Sequence, residues 1–158
     1  MRKIKEKQNK SVTLCLILIV ATLIFIWSNS IDSQEKSHEK SLIVMQAIEP
    51  LLEVFVGRGN VTHHLVRKLA HFTEFGLLGA ELAAFMYILR RRDLQATVNC
   101  LFTGLAAAVV DETIQIYTQR GAQVSDVLLD FAGSAAGVFL VILIHAVARK
   151  RGRREKKN

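Results

Sequence analysis

Apolar residues run along this chain in four long blocks, Val12–Ser28, Leu69–Leu89, Ala96–Thr118 and Val124–Ala148, separated by polar stretches. Each block approaches or exceeds the ~20 residues, about 30 Å of helix, that cross a bilayer. The pattern predicts an all-α, polytopic membrane protein, a bundle of four transmembrane helices at 12–28, 67–89, 96–118 and 124–148. Residues 1–11 and 149–158 are basic ends, 29–66 a long loop, and 90–95 and 119–123 short turns, so a single domain covers 12–148. Within the long loop Leu42, Met45, Ile48, Leu52, Phe55 and Val56 recur at helical spacing, while Gln46, Glu49 and Glu53 share another face. That predicts an amphipathic, interfacial helix over about 41–56. Gly57-Arg58-Gly59-Asn60 then reads as a turn before the second span.

Composition sharpens the picture through where the charge lies. The 158 residues are 51% apolar and carry a net charge of +7. Of 21 Lys and Arg, five precede the first span, three (Arg90, Arg91, Arg92) lie between spans two and three, and seven follow span four. By the positive-inside rule both termini are cytoplasmic and the loop 29–66 lies outside. The basic balance is therefore a topology signal and argues against nucleic acid as a partner. The first block also has the outline of a cleavable signal peptide, but its apolar run is long for one and Trp27 sits where an interfacial aromatic anchors a span. It is read as retained. Cys15 and Cys100 lie inside apolar blocks, where thiols serve as small packing residues rather than as a disulfide.

Small residues at four-residue spacing, Gly76 with Ala80, Gly104 with Ala108 and Gly133 with Gly137, predict close helix approach without naming the neighbours. Against this apolar background the charged residues stand out. An ionisable side chain in hydrocarbon costs about 2.5–3.5 kcal/mol on insertion scales, so it faces a bundle interior and takes a partner. Lys68, His71 and Glu74 follow one face of span two, Asp111 and Gln115 one face of span three, and Asp126 and Asp130 the glycine stripe of span four. At 1.5 Å per residue, Glu74 lies roughly 13 Å below Leu65, Asp111 about 10 Å below Thr118 and Asp130 about 9 Å below Val124. Three helices thus offer carboxylates at one depth on the outer side. Arg120, in the turn between spans three and four, is placed to bind a carboxylate or an arriving anion through its planar fork.

The cluster of Lys68, His71, Glu74, Asp111, Glu112, Arg120, Asp126 and Asp130 holds five acids against two fixed cations and one histidine. Five carboxylates crowded out of water are not all ionised together, so the site offers proton donors and acceptors, or calls for a bound cation. Glu81 continues the His71–Glu74 stripe toward the cytoplasmic half, with no partner evident; it is expected to be protonated or to face a neighbouring subunit, which leaves a homo-oligomer open. No nucleophile motif, phosphate loop or metal-ligand spacing is present, so no metal site and no cofactor is assigned.

The strings Arg67-Lys68-Leu69-Ala70-His71-Phe72-Thr73-Glu74-Phe75, Asp111-Glu112-Thr113-Ile114-Gln115, Arg120 and Ser125-Asp126-Val127-Leu128-Leu129-Asp130-Phe131-Ala132-Gly133 resemble the VanZ-like family in order and spacing over roughly residues 64–140. Ser28 fits the family's usual start. Thr118-Gln119 stands where a Pro-Gly pair is common, and Phe75 where Tyr is frequent. The resemblance implies a bacterial plasma-membrane protein with a role at the cell envelope, linked in some members to teicoplanin and related lipoglycopeptide resistance.

Two functions follow as expectations. The first is binding: Lys68, His71, Glu74, Asp111, Glu112, Gln115, Arg120, Asp126 and Asp130 form an outward-facing site for the headgroup of an envelope lipid, a cell-wall precursor or a lipid-linked glycopeptide, with membrane lipids as partners. The second is catalysis on a lipid-linked substrate. There His71 or Glu112 serves as general base, with an acid among Glu74, Asp111, Asp126 and Asp130 as its partner. A carrier is less favoured, because the charges gather at one end of the spans.

Overall fold

The computed structural model describes residues 2–31, 34–57, 59–119, 121 and 123–155, with the side chains of 2–5, 34–41, 56, 154 and 155 left aside. Among the described residues five helices follow one another: α1 (Arg2–Ile31), α2 (Gln34–Val56), α3 (His63–Ile88), α4 (Leu94–Tyr117) and α5 (Val124–Glu155). No strand occurs among the described residues. Three helices contain segments long and apolar enough to cross a membrane, Glu6–Ile31, Leu94–Tyr117 and Val124–Arg153. Of the two other helices, α2 and α3, it is α3 that carries the polar residues of the second apolar block.

The helices run past the apolar blocks because polar residues at their ends cost nothing outside lipid. Thus α1 takes in the basic start and α5 the basic end, and α3 begins at His63 rather than at 67. Most of the long loop is helical, since α2 begins at Gln34 rather than near 41. Leu42, Met45, Ile48 and Leu52 are half-buried, as are Glu49 and Glu53, and α2 packs on α3, whereas Ile43, Val44, Leu51, Val54 and Phe55 are exposed.

Local chemistry sets the helix ends. Thr62 caps α3 by accepting from the Leu65 amide at 3.2 Å, and Asp93 caps α4 by accepting from the Ala96 amide at 2.9 Å. At the far end of α3, Arg90 takes a left-handed backbone (φ 61°), and the Arg91 and Arg90 amides donate to the Met86 and Tyr87 carbonyls. This is a Schellman closure made without glycine.

Contacts between termini fix the directions. Gln8 of α1 donates to the Ile88 carbonyl, and Tyr87 of α3 stacks on His145 of α5 at 3.9 Å between ring centres. At the opposite end Ser30 of α1 meets Asp111 of α4, and His71 of α3 lies beside Asp130 of α5. Hence α1 and α4 run one way and α3 and α5 the other. The basic termini and Arg90–Arg92 share one end of the bundle, and the polar cluster occupies the other.

Glycine decides the tightest contact. A side-chain carbon at Gly133 would strike the Phe72 carbonyl, at Gly137 the Gly76 carbonyl and Ala80 amide, and at Gly79 the Ser134 backbone. The backbones of α3 and α5 therefore touch over residues 72–80 and 133–137. Gly104 of α4 abuts the Ser134 side chain, which brings a third helix to the same line. Cys15, Ile19, Ile26, Phe75, Leu78, Leu82, Ala83, Cys100, Ala107, Ala108 and Val138 form the apolar core. Both cysteines are free and buried, in keeping with a packing role.

Candidate functional site

Three of the predicted polar residues meet where α3, α4 and α5 cross. Asp111 is fully buried and Asp130 only 1% exposed. His71 Nδ1 lies 3.7 Å from Asp111 Oδ2 and 3.8 Å from Asp130 Oδ1. The i, i+4 faces inferred from spacing place Asp111 and Gln115 together: Gln115 Nε2 donates to Asp111 Oδ2 at 2.8 Å. Asp111 Oδ1 accepts from the Ser30 hydroxyl at 2.6 Å, a short charge-assisted bond. Asp130 differs, for among the described residues neither of its carboxylate oxygens has a hydrogen-bond partner.

A second layer lies toward the helix ends. Lys68 Nζ pairs with Asp126 Oδ1 at 3.2 Å, with both side chains partly shielded from solvent. Asp126 occupies the first turn of α5, where a carboxylate also suits the helix dipole. Glu112 is buried and accepts from the Gln123 amide at 3.2 Å, tying α4 to the turn before α5. Arg67, Lys68, His71, Glu112, Gln115, Asp126, Leu129 and Asp130 line a narrow cleft with room for about one water molecule. Lys68, His71, Glu112, Gln115, Asp126 and Asp130 are therefore gathered at one recess, as the sequence suggested. Arg120 lies outside the described residues.

Glu74 does not line the cleft; its Oε1 accepts from Asn29 Nδ2 of α1 at 3.4 Å. Glu81 has a partner that spacing did not reveal, since Thr22 of α1 donates to its Oε1 at 3.1 Å. Where the sequence showed no evident partner for Glu81, this contact inside the bundle supplies one. Sequence reasoning also missed Ser30 and Asn29, which bring α1 into the site, and it passed over Arg67 as part of the lining. Ser28, the more familiar landmark, is exposed and donates to its own helix at Phe25 O. The available signal was the polar run Ser28-Asn29-Ser30 closing an apolar block, which marks a buried helix end as readily as an interface.

The two departures from the family pattern have simple structural sequels. Gln119 takes the left-handed conformation (φ 56°) that glycine adopts more easily, so the turn forms without the Pro-Gly pair. Phe75 is fully buried in apolar contacts, where no hydroxyl is needed.

The profile of the VanZ/LLP1 family matches residues 12–145, which spans α1 through most of α5 and includes every residue of the recess. The chain belongs to the VanZ/LLP1 family. Comparison with curated proteins and with solved structures returns no match. Within this VanZ/LLP1 chain the motif residues of three separate helices are thus neighbours in space: Lys68 and His71 from α3, Asp111, Glu112 and Gln115 from α4, and Asp126 and Asp130 from α5, with Ser30 of α1 bonded to Asp111.

Proposed function

We propose that this protein crosses the bacterial plasma membrane four times, with α3 as the fourth span and both termini cytoplasmic, and that its outward-facing recess binds the headgroup of an envelope lipid, a cell-wall precursor or a lipoglycopeptide. At 26 residues α3 is about 39 Å long, enough to span. Its charged and polar groups are turned toward α1, α4 and α5, which removes the usual objection to charge in lipid. The basic residues at the opposite end of the bundle support the orientation.

One observation carries the binding reading: a single recess brings Arg67 and Lys68 beside Glu112, Gln115, Asp126 and Asp130. Such a mixed lining suits a headgroup carrying both an anionic group and hydroxyl or amine donors. The exposed apolar flanks of the helices, including Leu128 next to the recess lining at Leu129, supply contacts for the attached tail. A contribution to teicoplanin resistance would follow from holding a lipid-tailed drug in the same way. The test is retention of envelope lipids or teicoplanin by the purified full chain, measured by native mass spectrometry. Lys68→Met and Glu112→Gln are expected to abolish retention while leaving the helical content unchanged; full retention in both would defeat the proposal.

A second reading, a membrane-embedded acid/base enzyme acting on a lipid-linked envelope substrate, is favoured by the placement of His71 between two buried carboxylates. A carboxylate on one ring nitrogen fixes the tautomer and raises the basicity of the other. Product formation that disappears in His71→Ala would establish it.

A further inference from the structure

We propose that His71, Asp111 and Asp130 together ligate a divalent first-row cation, of the Mn²⁺ or Zn²⁺ class. The ligand atoms of these three residues all lie within 4.8 Å of one another. A cation about 2.0–2.2 Å from each donor sets donor separations of about 3.0–3.5 Å, so shifts of a few tenths of an ångström to about one would close the cage. The His71 contacts at 3.7 and 3.8 Å are too long for hydrogen bonds, yet they suit donors turned toward a common centre.

The decisive observation is Asp130. Its carboxylate is 1% exposed and makes no hydrogen bond through either oxygen among the described residues. Such a group is costly to bury, and natural proteins neutralise it with a partner or a metal. Lys68, a fixed cation of the recess, is already paired with Asp126. Asp111 adds a second, fully buried carboxylate beside it, so a doubly charged cation balances the two acids.

Asp111 also has the supporting shell that a ligand needs. Ser30 and Gln115 donate to its two oxygens and fix its rotamer, while each oxygen retains a lone pair for a metal. The donor set, one imidazole nitrogen and two carboxylates with both thiols elsewhere, suits first-row divalent ions. Three ligands leave coordination positions open, and the cleft lies on that side, lined by Glu112 and Asp126. Where the headgroup reading also holds, those positions would take an oxygen of the anionic group; the cation site itself does not depend on that reading.

The experiment uses the untagged full chain in detergent, freed of envelope lipid and stripped with EDTA. Mn²⁺ is titrated in and followed by loss of the free-ion electron paramagnetic resonance signal, with Zn²⁺ as competitor. The wild type is expected to bind about one ion per chain. Asp130→Asn and His71→Ala should each weaken binding at least tenfold, Ser30→Ala by about tenfold, and Glu81→Gln not at all. Absence of saturable Mn²⁺ or Zn²⁺ binding in the wild type overturns the proposal, as does unchanged affinity in a monodisperse Asp130→Asn protein. Because the wild-type titration decides alone, misfolding of a variant does not rescue the idea. Lipid retention is measured separately, so loss of one reading leaves the other standing.

Discussion

At the scale of single residues, Asp111 and Asp130 of the recess differ in how far the described residues satisfy them. Asp111 accepts from Ser30 and Gln115, and a hydrogen bond to a charged group contributes about 1.5–3 kcal/mol. Ser30→Ala is therefore expected to lower the unfolding free energy of the detergent-solubilised protein by about that amount, checked by urea or thermal denaturation followed by circular dichroism. Asp130 should behave oppositely. In metal-free protein, Asp130→Asn replaces a buried carboxyl group that makes no hydrogen bond among the described residues with a neutral amide, and is expected to raise stability by about 1–3 kcal/mol in the same measurement, with loss of Mn²⁺ binding. Polar pairs four apart, Asp111 with Gln115 above all, were legible in the sequence because a helix puts them on one face. The partners of Glu74 and Glu81 were not, because they sit on α1, more than forty residues earlier in the chain, and no local period links them.

At the scale of elements, the α3–α5 seam is the most demanding contact. A methyl group at Gly137 meets backbone atoms of Gly76 and Ala80, which have no rotamer to give way. Gly137→Ala should destabilise the bundle by about 1–3 kcal/mol or more, whereas Gly59→Ala meets no neighbour, and its cost comes only from a left-handed backbone. Thermal unfolding of the two variants side by side separates these effects. The small-residue spacing announced close approach but not its partner: the fact that Gly133 faces Phe72 and Gly137 faces Gly76 depends on how far α3 and α5 slide along one another, which no local pattern records. Helix ends were harder still. The helix α3 starts at His63 because Thr62 caps it there, and the cap lies in a polar stretch that an apolar profile ignores.

At the scale of the whole molecule, the charge asymmetry and the cluster lie at opposite ends of the bundle. In a Cys15→Ala/Cys100→Ala background, Gln123→Cys is expected to react with a membrane-impermeant maleimide added to intact cells, and Gly152→Cys only after permeabilisation. The reverse pattern would invert the protein and leave the recess facing the cytosol. The helical class and most of the recess were readable from the sequence, since charge in an apolar block has few places to go. The contribution of the first helix was not, because a polar run at the end of an apolar segment looks the same whether it borders lipid headgroups or seals an internal site.

The dependence of α3 on α5 has a consequence for biogenesis. Ribosomes make the third helix well before the fifth, yet the acids that face Lys68 and His71 from that side, Asp126 and Asp130, arrive only with the last segment. A nascent chain halted before Val124 would leave those two side chains without their later counterparts, so the third segment is expected to enter lipid late, in step with its C-terminal companion.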